Sequence, residues 1–275
     1  MNGGTPPVTQ PGTQSGTQQV PQSAPQSEPR PGNDRPLLVV TGGMGRVAGV
    51  LRPRLRPRYR LRLVDRVGGP VTQDEELVVT DLASKEAARS AMVGADALLH
   101  LAGEPSPTAQ WERLYATNIV LTERVLAAAA DVPRIVFGSS VHAAGGDSRP
   151  ERYPIDPAWE PHPCCAYGMS KVVGEALARM HADTHGSSVV SLRLGLTGFP
   201  LTDPGHARLW LSDDDAGRLV TAALTAEPGY GVHFGVSANA IPHWDTTSSA
   251  RDLGYLPQDD PSDVLAEAAE VSRMH

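Results

Sequence analysis

The sequence predicts an α/β fold: a doubly wound parallel sheet with helices on both faces. Short apolar runs alternate with longer helical patterns, and such alternation implies right-handed crossovers between parallel strands. The runs "LLVV", "ALLHLA" and "RIVF" are continuously apolar, as strands buried on both faces are. A glycine-rich turn lies between the first strand and the first helix. In order, the strands are Leu37–Thr41, Leu61–Asp65, Leu77–Thr80, Ala97–Leu101, Arg134–Ser139, Val189–Leu194 and Val232–Val236, the last being the weakest pattern. Between them the helical stretches are Gly45–Leu51, Ser84–Met92, Trp111–Ala130, Tyr167–His185 and Asp213–Ala226. Pro53 lacks a donor and is expected to end or kink the first helix. No internal repeat is present.

Composition divides the chain. The first 36 residues hold 8 Pro, 5 Gly, 6 Gln, 3 Ser and 4 Thr, and their only apolar side chains are Met1, Val8, Val20 and Ala24. Such a segment cannot bury enough apolar surface to offset its ordering entropy, so residues 1–36 are expected to be a disordered tail. It reads as an extension, with a docking segment as the alternative. The remaining 239 residues, 37–275, suffice for one domain. The tail's charges cancel, so the domain carries the net charge of -7. That balance argues against nucleic acid as a partner. No apolar run is long enough for a membrane span, and no basic-then-apolar leader is present. The only cysteines, Cys164 and Cys165, are adjacent. Adjacency suits neither an ordinary disulfide nor a metal cage, so no metal and a reducing cytoplasm are expected. The arginines at 52, 54, 56, 58, 60 and 62 could form a phosphate patch. The plainer reading is that Arg60 and Arg62 alternate along a strand and the others lie in a solvated connection.

After the first strand comes Gly42-Gly43-Met44-Gly45-Arg46-Val47-Ala48. Gly42 permits a tight turn, Gly45 lets a pyrophosphate approach the backbone, and Ala48 lets helix and strand pack closely. The anion would then meet the N–H groups opening the helix, the Rossmann-type arrangement. Met44, Arg46 and Val47 belong to the same turn. Asp65 follows Gly45 by 20 residues, where a carboxylate would accept from the adenosine ribose hydroxyls. It would repel a 2′-phosphate and so favours NAD, whereas Arg66 beside it leaves NADP open; the structural alternative for Asp65 is a turn residue. Asp81-Leu82 and Leu101-Ala102-Gly103 fall at carboxyl ends of strands, where ligands of such sheets bind.

Tyr167 and Lys171 stand at i and i+4 on one helix face, and Ser140 lies at the end of the fifth strand. A free phenol has a pKa of about 10, and making it a base near neutrality takes about 4 kcal/mol. A neighbouring ammonium and a cationic nicotinamide have the right sign to supply this. Ser140 would hydrogen-bond the reacting oxygen. The chain has 22 Arg and only two Lys, Lys85 and Lys171. A lysine at this place suggests that a compact ammonium is required. The alternative is a surface lysine beside a core tyrosine.

Together these residues resemble the extended short-chain dehydrogenase/reductase superfamily, the NAD-dependent epimerases and dehydratases. Among these the sequence is most similar to uronate dehydrogenases, through "LLVVTGGMGRV", "LRLVD", "HLAG", "RIVFGSS", "YGMSKVVGEALARM", "SLRLG" and "DLGYLPQD". The resemblance implies Ser140, Tyr167 and Lys171 as the catalytic set, with Tyr167 as proton acceptor for hydride transfer. It implies that Lys171 also holds a nicotinamide ribose hydroxyl. Asn118 matches a helix asparagine of the family, or is a helix-surface residue. His142 matches a substrate-pocket histidine, or is a packed loop residue. Homodimerisation through the helices at Trp111–Ala130 and Tyr167–His185 is implied as well.

The substrate pocket departs from the uronate dehydrogenase pattern. Val141 replaces an asparagine and Leu196 a serine. The carboxylate-clamping arginine falls at Gly205 with only Arg208 nearby, and the pocket serine falls at Pro105 unless an insertion moves it to Ser106. A carboxylate needs fixed donors, so a less charged substrate is expected. The first functional reading is an NAD(P)-dependent oxidoreductase acting on a sugar-like or other small molecule. A biosynthetic ketoreductase is the second. A redox-sensing regulatory protein is the reading from another class, opposed by the complete Ser140–Tyr167–Lys171 set.

Overall fold

Every residue of β1 (Leu37–Thr41), β4 (Ala97–His100) and β6 (Ser188–Leu194) is buried, as central strands of a sheet covered on both faces must be. The computed structural model describes residues 1, 3–4, 34–146, 150–238 and 242–266. The other strands are β2 (Arg60–Asp65), β3 (Glu75–Val79), β5 (Arg134–Ser140) and β7 (Tyr230–Gly235). All neighbours pair in parallel, in the order β3-β2-β1-β4-β5-β6-β7. The winding reverses between β1 and β4, so a ligand crevice opens at their carboxyl ends.

Successive residues of a strand face opposite sides, and this builds two cores. Leu38 and Val40 pack with α1 (Arg46–Leu55) and α6 (Asp213–Thr225). Val39 packs with α2 (Lys85–Met92), α4 (Leu121–Ala128) and α5 (Ala166–His185). A third cluster, of Val141, Ala144, Ile155, Phe234, Val236 and Trp244, lies beyond the carboxyl end of β5. The helix expected at Trp111–Ala130 begins as α3 (Trp111–Leu114), passes through a π-helical turn at Tyr115–Val120 and continues as α4. Such a turn commonly marks a functional site. The sequence patterns miss α7 (Thr247–Leu253) and the 3-10 turns at Val141–Ala143, Pro150–Arg152 and Pro204–Leu209.

Two expectations are corrected. Helix α1 runs through Pro53 to Leu55, because the carbonyl that Pro53 leaves without a partner belongs to Gly49, which is exposed to water. Nor are the arginines outside β2 merely solvated. Arg52 forms a two-pronged pair with Glu75, and Arg54 pairs with Asp214. On β2, Arg62 pairs with Glu76, so these arginines tie the sheet edge and α6 to α1. The packed unit begins at Arg35 rather than Leu37. Arg35 reaches the Arg56 carbonyl and Asp74, and the Pro36 carbonyl accepts from Arg60 N–H. The tail expected to be disordered lies mostly outside the described residues.

One buried ion pair fastens α5 to the sheet. Arg193 on β6 is 1% exposed and Glu175 on α5 is 5% exposed. They meet through two bonds of 2.9 and 2.8 Å, and the Ser139 hydroxyl donates to the same carboxylate at 2.5 Å. Replacing Glu175 by Ala strands a buried guanidinium and is expected to cost about 3–5 kcal/mol. Urea unfolding measures this directly, and a loss under about 1 kcal/mol would contradict the role assigned to the pair.

Candidate active site

The glycine-rich turn is held between β2 and the segment after β4. Gly42 has φ +68° and donates to the Val64 carbonyl at 2.9 Å, and a side chain there would meet Ala102 N at 2.8 Å. Gly45 opens α1 with no side-chain cap, and the first turn of that helix carries no acidic residue. Its leading N–H groups, on Arg46 and Val47, therefore retain the donor capacity that an anion can use. Ala48 is buried against the sheet, consistent with close helix–strand packing.

Asp65 ends β2 and accepts three backbone bonds, from Met44 N–H at 3.0 Å, Arg66 N–H at 2.7 Å and Val67 N–H at 3.3 Å. It thus secures the turn, in keeping with its structural alternative. A carboxylate has about four acceptor positions, so capacity for a ribose hydroxyl remains. The Arg66 side chain is exposed. Asp81 caps its own turn through Ala83 N–H at 2.9 Å, and Leu82 is buried in the core beside Ala88. Leu101 and Ala102 bond back to Thr41, and Gly103 lies against the Asn118 side chain.

A segment that sequence reasoning overlooks reaches the same turn. Gly198, after β6, lies against the Arg46 side chain, and the Arg46 guanidinium stacks 3.6 Å from the Phe199 ring centre. Next to it, the Thr197 hydroxyl is buried and has no hydrogen-bond partner. The uncapped helix, the close-packed glycine and this unsatisfied hydroxyl fit a dinucleotide. Strand order does not signal this segment, because β4 and β5 separate β6 from β1 and the chain crosses back to α1 only after β6 ends.

Ser140, His142, Tyr167 and Lys171 come together. Ser140 closes β5, and its side chain accepts from His142 N–H at 3.3 Å. Tyr167 lies in the first turn of α5, close enough to Ser140 for the serine hydroxyl to act on its phenol. The His142 ring stands edge-on to Tyr167, 5.5 Å between centres. Lys171 is buried, donates to the Gly138 carbonyl at 2.8 Å and lies 5.8 Å from the Tyr167 ring centre.

The electrostatics differ from the expectation that Lys171 draws the phenol down. Burial pushes the Tyr167 pKa up, the Ser140 hydroxyl pulls it down, and the Cys165 and Glu104 charges push it up again. Burial also lowers Lys171 itself to about 8, against the pull of Glu175. The ammonium of Lys171 is turned to the Gly138 carbonyl rather than to the phenol oxygen, and burial is the largest influence on Tyr167.

Asn118 is 2% exposed, which excludes the surface reading. From the π-helical turn its side-chain amide donates to the Glu104 carbonyl at 3.1 Å and the Ser170 hydroxyl at 2.9 Å. It therefore joins the segment after β4 to α5. Glu104, also overlooked, is buried, pairs with Arg113 and accepts from Ser106 N–H at 3.0 Å. The Ser106 hydroxyl is shared with Thr108 at 3.1 Å. Arg208 is exposed, and its carbonyl accepts from the Trp244 indole at 3.0 Å. Among the described residues, no hydrogen bond or ion pair joins its guanidinium to Ser140, His142 or Tyr167.

Comparison with known proteins agrees with this geometry. The model of the NAD dependent epimerase/dehydratase family matches residues 38–204. The chain is 33% identical over 257 residues to the NAD-dependent glucose-6-phosphate dehydrogenase of Haloferax volcanii, covering 85% of this chain and 97% of that one. It is 37% identical over 246 residues to a uronate dehydrogenase of Pseudomonas syringae, covering 86% of each. A crystal structure of a mutant uronate dehydrogenase from Agrobacterium tumefaciens, complexed with NAD, superimposes with a TM-score of 0.78 at 32% identity, covering 86% of this chain and 89% of that one. The chain belongs to the NAD-dependent epimerase/dehydratase family of extended short-chain dehydrogenases/reductases.

Proposed function

We propose that this chain is an NAD-dependent dehydrogenase that interconverts an alcohol and a carbonyl on a sugar-like substrate, with Tyr167 as its acid and base. The observation that carries the reading is the convergence of Ser140, Tyr167 and Lys171 beside a dinucleotide-fitting glycine turn. NAD would lie along Gly42, Gly45 and the opening of α1, with Asp65 toward its adenosine ribose, and when bound it supplies the hydride acceptor. The Tyr167 oxygen takes the proton of the substrate hydroxyl, and Ser140 hydrogen-bonds the same oxygen. Lys171 holds a ribose hydroxyl. The carboxylate of Asp65 favours NAD over NADP by repelling a 2′-phosphate.

A neutral sugar is the preferred substrate over a uronate. Val141 is buried and apolar, Leu196 stands where a polar side chain would be expected, and Arg208 is exposed. A carboxylate would therefore meet few fixed donors. A curated relative, the L-arabinose 1-dehydrogenase (NAD(P)(+)) of Haloferax volcanii, is 32% identical over 259 residues, and its name is in keeping with a neutral sugar. Exposed Trp111, Tyr115 and Met180 on α3, the π-helical turn and α5 support pairing of two copies through these helices. The free thiols of Cys164 and Cys165 suit a reducing cytoplasm. No described helix is long and apolar enough to cross a membrane.

Two measurements test these assignments. Following reduced nicotinamide by absorbance across neutral aldoses, sugar phosphates, uronates and ketones is expected to give the highest kcat/KM with a neutral aldose. A uronate as best substrate would overturn the specificity, and reduction of ketones alone would point to a biosynthetic ketoreductase. Replacing Tyr167 by Phe is expected to lower kcat by about 10²–10⁴-fold with NAD affinity by calorimetry unchanged. Near-normal turnover would remove Tyr167 from its role.

A further inference from the structure

Among the described residues, His142, Cys164 and Cys165 bring three ligand atoms within 4.8 Å of one another. His142 Nδ1 lies 3.3 Å from Cys164 Sγ and 3.4 Å from Cys165 Sγ, and the sulfurs are 4.0 Å apart. Around tetrahedral zinc, bonds of about 2.3 Å to sulfur and about 2.0 Å to nitrogen place two sulfurs about 3.8 Å apart and each sulfur about 3.5 Å from the nitrogen. All three edges therefore agree with one face of that tetrahedron to within about 0.3 Å. The Cys164 sulfur also approaches the His142 carbonyl at 3.7 Å, so without an ion the single imidazole lone pair need serve only one of the two thiols.

The surroundings favour a thiolate at Cys165, whereas burial and the neighbouring Cys165 push the Cys164 thiol up to about 11, a proton that an ion would have to displace. Cys165 is the N-cap of the 20-residue helix α5, and Gly168 N–H donates to its sulfur at 3.4 Å. Both the helix terminus and this donor stabilise negative charge on sulfur. Cys164 N–H donates to the His142 carbonyl at 3.2 Å, fixing one ligand against another. A side chain at position 168 would stand 2.2 Å from that carbonyl, so only glycine lets α5 begin so close to His142. Cys164 is exposed and the other two are partly so, which leaves a path for a hydrated ion.

We propose that His142, Cys164 and Cys165 bind one Zn²⁺ or a similarly soft divalent cation, with the fourth position open to water or a substrate oxygen. The expectation that adjacent cysteines suit no metal rests on the pair alone; the fold brings the end of β5 to them and adds the imidazole. An ion here clamps the turn after Ser140 to the start of α5, two residues before Tyr167. Binding displaces the thiol protons.

The test uses the full chain under a phosphine reductant, with Co²⁺ as spectroscopic probe and Zn²⁺ as competitor. The expected result is a thiolate-to-cobalt charge-transfer band with strong tetrahedral visible bands, saturating at one ion per chain and abolished by Zn²⁺. Replacing Cys164 by Ser is expected to weaken Zn²⁺ binding by about 100-fold or more and to remove any Zn²⁺-dependent rise in Tm. Cys165→Ser keeps an N-cap for α5, so its loss of binding would report the ligand and not an unravelled helix. A weak octahedral cobalt spectrum with no thiolate band would overturn the proposal. So would Cys164→Ser binding Zn²⁺ as tightly as the wild type.

Discussion

The register of α5 against β5 and β6 is the constraint on which the site depends. Lys171 and Glu175 are four residues apart on its buried face, and both are held by the sheet, one by the Gly138 carbonyl and the other by Arg193 and Ser139. A buried ion pair gains little net stability, because desolvation cancels most of its attraction. It does penalise every other register, since each would leave a buried charge unpaired. A helix turned by one residue rotates by about 100° and would carry Tyr167 away from Ser140. The polar pair therefore acts on geometry, and the apolar faces of α5 and the sheet supply the adhesion.

Parallel strands then gather the remaining parts at one edge. The glycine turn follows β1, Asp65 ends β2, Gly103 and Glu104 follow β4, Ser140 ends β5, and Thr197 follows β6. Asn118 and Ser170 join the segment after β4 to α5, so the edge behaves as one connected unit. Charge is its scarce component. Burial lowers Lys171 to about 8 and raises the Tyr167 phenol, so burial works against both the ammonium and the phenolate. A cationic nicotinamide would bring positive charge from outside, coupling activation of the base to cofactor binding.

Most of the framework is legible in the sequence because its signals are local. The run of β1 shows both of its ends, and the glycine turn and the Tyr167–Lys171 spacing announce themselves within a few residues. What escapes depends on partners far along the chain. Glu104 looks like a loop acid until Asn118 and Arg113 bury it. Thr197 and Phe199 matter only because the segment after β6 crosses to Arg46 of α1. Pro53 is tolerated because of the exposure of Gly49, and the third ligand beside the cysteines lies 22 residues away from Cys164. Lys171 departs from its expected contribution for a related reason, since its ammonium donates to the Gly138 carbonyl, 33 residues away, a contact that spacing alone does not reveal.

The claim that the site is completed by a cofactor's positive charge is tested most directly by titrating Tyr167 itself. Ultraviolet difference spectra of the wild type against Tyr167→Phe, recorded across pH with and without NAD⁺, isolate this phenol. The expected result is ionisation above the ordinary tyrosine range without NAD⁺ and well below it with NAD⁺ bound. Titration at the same pH in both states, at saturating NAD⁺, would contradict it.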